Sequence, residues 1–228
     1  MFEGNPIHST HIHDYLLIII VACTLIVLRA FYLNPKAFGR ILHSPFNLNE
    51  SEKLLHDTNI IISRTSFFLN IVFVISFSIF CYLTLWVFEI DLLTDMNISN
   101  HIVFLAVIFG VLLLFYLSRH MLYSLVGYVS NHLSLQHHYI QIWMNLNKWF
   151  GLILLPMLLA LMYFPDHIKP YIIYILAVVF AFQFVFKLIQ GFKISAGNRV
   201  SLLVIFLYLC TLELLPVSVV IKYMTGII

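Results

Sequence analysis

The run from Val200 to Tyr223, VSLLVIFLYLCTLELLPVSVVIKY, constrains this chain more than any other stretch. As a helix it is long enough to cross a bilayer, which takes about 20 apolar residues. Near its middle stand a carboxylate, Glu213, and a proline, Pro216. A lone acid at that depth is unfavourable by roughly 2.5–3.5 kcal/mol on insertion scales. Pro216 has no N–H to offer the Leu212 carbonyl, and its ring pushes that turn open. In hydrocarbon the freed carbonyl and the carboxylate both need partners inside the protein. Other helices must therefore surround this run.

The rest of the chain can supply them. Of 228 residues, 62% are hydrophobic and 10% charged; a soluble domain is nearer half apolar and a quarter charged. The composition specifies a polytopic membrane protein. A net charge of +2 with no basic stripe gives no footprint for nucleic acid. Cys23, Cys81 and Cys210 all fall inside apolar runs; they have no zinc spacing and read as buried free thiols. The opening residues carry two acids and no Lys or Arg, unlike the basic start of a signal peptide, so the first helix is expected to stay in the mature chain.

Six apolar runs are expected to span the membrane: 14–33, 60–88, 101–125, 149–164, 170–190 and 200–223. The fold class is thus all-α, a single polytopic bundle of six transmembrane helices over 1–228. Asn34-Pro35 ends the first helix, because the residue before proline is pushed off the α region. Asn49 with Glu52 reads as a capping box and predicts a short interfacial helix over about 50–57, before the second span. The polar and aromatic stretch 127–148 is expected to lie along the interface, with Trp143 and Trp149 as belt residues, or to include a re-entrant segment. No internal repeat supports a transporter built from inverted repeats.

Basic residues set the orientation. Ten of the twelve flank the first, third and fifth connections: Arg29, Lys36, Arg40, Lys53, Arg64, Arg119, Lys148, Lys187, Lys193 and Arg199. Lys169 and Lys222 lie on the other side. Both termini are then outside, which in a Gram-negative inner membrane means the periplasm.

The chain resembles a Bacteroidota membrane family, domain of unknown function 4271. The likeness is carried by Arg29-Ala30-Phe31-Tyr32, Asn34-Pro35-Lys36-Ala37-Phe38 and Phe46-Asn47. Asn147-Lys148 running into Gly151, then Leu155-Pro156, and above all Tyr208 to Pro216 (YLCTLELLP) complete it. The resemblance implies an inner-membrane protein of that phylum and implies no activity.

Three constellations carry chemistry. Glu213 with Pro216 could form a proton or cation site or an ion pair, or Glu213 could be a protonated acid hydrogen-bonded to a neighbouring helix. At about 1.5 Å per residue, Gln183 reaches a similar depth, and Asn70 lies nearer the cytoplasmic end. Arg29, Arg64, Arg119 and Lys187 form a basic cytoplasmic cluster that could hold a lipid headgroup or phosphate; the positive-inside rule alone also produces such residues. His132, His137 and His138 are weak metal candidates, lacking the repeated boxes that membrane di-iron enzymes use. No nucleophile motif or phosphate loop occurs, so no catalytic residue and no cofactor is expected. The expected partners are the lipid bilayer and other envelope membrane proteins. The leading expectation is a non-enzymatic accessory or scaffold component of an envelope assembly. The alternatives are a small transporter or lipid-handling protein using Glu213, and a histidine-metal membrane enzyme.

Overall fold

The computed structural model describes residues 7–44, 60–87, 101–129 and 133–197. These form six helices and, among the described residues, no strand: α1 (Ile7–Leu33), α2 (Pro35–His43), α3 (Ile60–Val87), α4 (His101–Val129), α5 (Leu133–Tyr163) and α6 (Lys169–Gly197). Four of them contain stretches long and apolar enough to cross a membrane: Asp14–Leu33, Ile62–Val87, Ile140–Tyr163 and Lys169–Gly191. The apolar stretch of α4, Ile102–Ser118, is shorter. The expected sixth span, with Glu213, Pro216 and Cys210, lies outside the described residues, as does the expected interfacial helix at 50–57.

Helix α5 is the centre of the bundle, with α1, α2, α3, α4 and α6 all against it. Its closest neighbour is α3. A Cβ added at Gly151 would stand 2.9 Å from the Phe73 Cα, so the missing side chain is what lets these two backbones meet. Small residues at such crossings are how membrane helices gain packing. The core around this contact joins Leu16, Ile20 and Cys23 of α1 to Val72, Phe73 and Ile79 of α3. Phe150, Leu154 and Leu158 of α5 and Ile172 and Leu176 of α6 complete it. Outward faces are apolar as well: Leu25, Leu28, Leu114, Val178 and Phe182 are exposed, as suits a surface that meets lipid tails.

Two of the hydroxyls on α3 are satisfied on their own helix. Ser78 Oγ donates to the Val74 carbonyl at 2.7 Å and Thr84 Oγ1 to the Phe80 carbonyl at 2.8 Å. This keeps polar groups paired where no water reaches.

The structure departs from the sequence expectations in two places. Asn34 does break the first helix, at φ −147° and ψ 71°, but the chain starts a second helix at once with Pro35 in its first turn. Proline suits that place because its missing N–H would have had no helical partner. Helix α2 is amphipathic. Ala37, Phe38 and Ile41 pack on Ile62 and Leu69 of α3, while Lys36 and Arg40 are exposed. An apolar face packed inward with basic residues outward is the pattern that suits a helix to an interface plane.

The second departure is α5. The sequence separates a polar interfacial or re-entrant segment from a span starting at Trp149. The structure has one continuous helix from Leu133, whose spanning stretch begins at Ile140. The physical reason is that Asn145, Asn147 and Lys148 find partners inside the bundle, so the helix can carry them inward.

Candidate functional site

Two tiers of side chains fill the space between α3, α5 and α6 at the end of the bundle where α2 lies. One is polar and holds two buried lysines. The other is aromatic and lies next to it, deeper in the bundle.

Lys148 is the most unusual residue of the polar tier, at 2% exposure. Its Nζ donates to Ser66 Oγ of α3 and to Asn145 Oδ1, 2.6 Å away on its own helix. Asn145 and Lys148 share a face of α5 because they are three residues apart. Asn145 passes the network on: its Nδ2 donates to Ser44 Oγ at 2.6 Å. Ser44 caps the C-terminus of α2, its N–H bonding the Arg40 carbonyl and its Oγ the Ile41 carbonyl, both at 2.9 Å. Two hydrogen bonds therefore lead from the end of α2 to Lys148.

Asn147 anchors the other lysine. Its Oδ1 accepts from Lys187 Nζ at 2.8 Å and from Gln183 Nε2 at 3.1 Å. Lys187 Nζ also stands 5.0 Å from the centre of the Trp143 ring, a cation–π distance. Trp143 in turn stacks on Tyr116 of α4 at 5.5 Å.

The electrostatics of Lys148 are one-sided. Both its hydrogen-bond partners are neutral, and it forms no ion pair among the described residues. The described acids are Asp14 and Asp166 alone. Asp166 pairs with Lys169 at 2.7 Å in the turn between α5 and α6, at the opposite end of those helices. An ammonium removed from water without a counter-charge carries a penalty of several kcal/mol. The site therefore favours an anion.

The aromatic tier is built on the same faces. Phe77 of α3 stacks against Phe73 at 5.7 Å and Phe180 of α6 at 5.8 Å, and meets Phe150 of α5 at 6.4 Å. Phe150 and Phe180 are 5.5 Å apart. Helices α3 and α6 touch each other lightly and are joined here through these rings.

The sequence candidates separate in this structure. Lys187 is buried in the polar tier, whereas Arg29 and Arg64 are exposed. Gln183 is buried beside Lys187, both on Asn147. Asn70 lies one turn from Ser66 on α3, and its Oδ1 is buried. Glu213, Pro216 and His132 lie outside the described residues, and the side chains of Arg119, His137 and His138 do as well. Among the described residues no group of His, Cys, Asp or Glu is arranged to hold a metal.

Sequence places Lys148 among the basic flanking residues and in the Asn147-Lys148 pair of the family resemblance, and gives it no site role. The signal that could have singled it out is the spacing of Asn145, Asn147 and Lys148 directly ahead of Gly151. Three polar residues in four positions need inward partners if the helix is membrane-embedded.

The family model for Domain of unknown function (DUF4271) matches residues 16–224, and the chain belongs to that family. No curated protein and no solved structure matches it.

Proposed function

We propose that this DUF4271 protein is a multi-pass membrane protein that works by binding, holding an anionic group in a lipid-handling role at the site between α3, α5 and α6. The observation that supports this is Lys148: buried, hydrogen-bonded to neutral groups, and without a counter-charge among the described residues. Such a lysine is a poor structural element, because an apolar residue would fill its place without the penalty of desolvating a charge. It is a good anion site, because an ammonium is a compact charge with three rotatable donors.

The test is native mass spectrometry of the protein purified in mild detergent. The wild type is expected to retain a phospholipid through its phosphate, and Lys148→Met to lose it. Equal retention by both would sink the proposal.

On the distribution of basic residues we place this end at the cytoplasmic face of a Bacteroidota inner membrane. Periplasmic reporters fused to the two termini should then both be active. Glu213 and Pro216 remain intramembrane candidates on sequence grounds. So does an accessory role in an envelope assembly, which co-purification of a partner protein would test.

A further inference from the structure

Anion binding at Lys148 leaves further buried polar atoms unanswered, two of them amide oxygens of the same tier. Asn70 Oδ1 and Gln183 Oε1 accept no hydrogen bond among the described residues. Asn70 lies between Ser66 and Phe73 on the face of α3 that touches α5. Gln183 is held by Asn147, the residue next to Lys148. Buried polar atoms are nearly always paired, and each exception calls for an explanation. A simple anion answers the lysine and leaves these acceptors without a donor. A group that carries both an oxyanion and an ammonium answers all three.

We propose that the site takes the headgroup of an ethanolamine phospholipid, its phosphate on Lys148 and its ammonium donating to Asn70 Oδ1 and Gln183 Oε1. The inference deepens the anion-binding reading and rests on it.

The residue types fit each half of that headgroup. Two of the three ammonium protons of Lys148 go to Ser66 and Asn145, leaving one for a phosphate oxygen. A planar carboxylate would be better met by the fork of an arginine. At the other half, carbonyl oxygens need N–H donors. A primary ammonium has them, whereas a quaternary choline has none and prefers aromatic faces.

Depth points to a lipid as the source. Helix α2 is amphipathic, with its basic residues outward, and its terminal Ser44 is two hydrogen bonds from Lys148. The site therefore lies close to the plane where headgroups are found. Soluble phosphoethanolamine shares the same chemistry, and the experiment separates the two.

The full chain is reconstituted in nanodiscs of equal parts phosphatidylethanolamine, phosphatidylglycerol and phosphatidylcholine. The lipid that stays bound on release is read by native mass spectrometry. The wild type is expected to retain the ethanolamine lipid over each of the others by about tenfold, the effect of losing hydrogen bonds to a charged group. Asn70→Leu combined with Gln183→Met should abolish that selection while lipid is still retained. If the pair fails to fold, either substitution alone should lower selection by about threefold.

Three results would overturn the inference. One is a wild type that does not select among the three lipids. Another is selection that survives the Asn70 and Gln183 substitutions. The third is displacement of the bound lipid by micromolar phosphoethanolamine, which would assign the site to the soluble ester. In all three cases the anion-binding reading still stands if Lys148→Met releases the ligand. That reading falls by itself if Lys148→Met retains lipid as the wild type does.

Discussion

Lys148→Met also tests whether the buried lysine serves binding or architecture, because the two roles predict opposite changes in stability. Removing the ammonium relieves a desolvation penalty of several kcal/mol. Against this, Asn145 Oδ1 loses its donor, at a cost of about 1–3 kcal/mol. Ser66 loses the Nζ contact, but its hydroxyl can turn to a carbonyl of its own helix, as Ser78 and Thr84 do. Methionine follows the unbranched path of the lysine stem and fills irregular space. The sum runs from about zero to a gain of a few kcal/mol. In detergent stripped of lipid the variant should unfold at the wild-type temperature or above it, followed by tryptophan fluorescence. Adding the ligand should then stabilise the wild type, by about 2.7 kcal/mol at a hundredfold excess over Kd, and leave the variant where it was. A variant that unfolds well below the wild type in stripped detergent, and still responds to lipid, would refute the reasoning. Lys148 would then be a strut between α3 and α5.

Two further substitutions probe the frame around the site. Gly151→Ala places a Cβ against the Phe73 backbone, which cannot rotate away. It should cost about 1–3 kcal/mol in thermal unfolding and weaken lipid retention, since the Lys148–Ser66 contact lies within a turn of it. Ser44→Ala removes the bond to the Ile41 carbonyl and leaves Asn145 Nδ2 without its acceptor, a loss of about 1–3 kcal/mol. Hydrogen exchange should quicken in 35–44 while α5 stays protected; uniform loss of protection would show that α2 is not a separable element.

The helices apolar enough to span were legible because length and apolarity determine them, and for three of the four the expected ends lie within a few residues of those found. Helix α2 is not legible in this way, since Asn34-Pro35 reads as a stop. A proline that ends one helix can begin the next, and what decides is whether the following residues have an apolar face to bury. Ala37, Phe38 and Ile41 do, and they bury it on α3. The start of α5 was misplaced for the converse reason. Asn145, Asn147 and Lys148 count as polar in any sum along the chain, yet their partners come from Ser44, Ser66, Gln183 and Lys187. Those residues lie far away in sequence, so the site could not be assembled before the helices were. Of the residues proposed from sequence, Gln183, Lys187 and Asn70 fall in the polar tier. Arg29 and Arg64 point outward, where the positive-inside rule is reason enough for a basic residue.

The order of the two tiers bears on what the site can do. A conduit for ions needs polar groups along its length, because each step into hydrocarbon must be matched by a partner. Here the amide and ammonium groups end at Asn70 and Gln183, and beyond them α3 buries the small hydroxyls of Ser76 and Ser78. One turn beyond Gln183 on α6 comes Phe180, and two turns beyond Asn70 on α3 comes Phe77. These two rings stack on each other and meet Phe150 at steeper angles across the three helices. A ligand held at Lys148 therefore meets an apolar wall on the side towards the membrane centre and the α2 network on the other. That geometry suits a headgroup whose acyl chains leave sideways between helices, and it does not suit passage through the bundle. Phe77→Ala would test the distinction: loss of packing should lower stability without admitting ions. Ion flux through vesicles carrying this variant, where the wild type gives none, would show that the aromatic tier closes a pathway and that the site is one station along it.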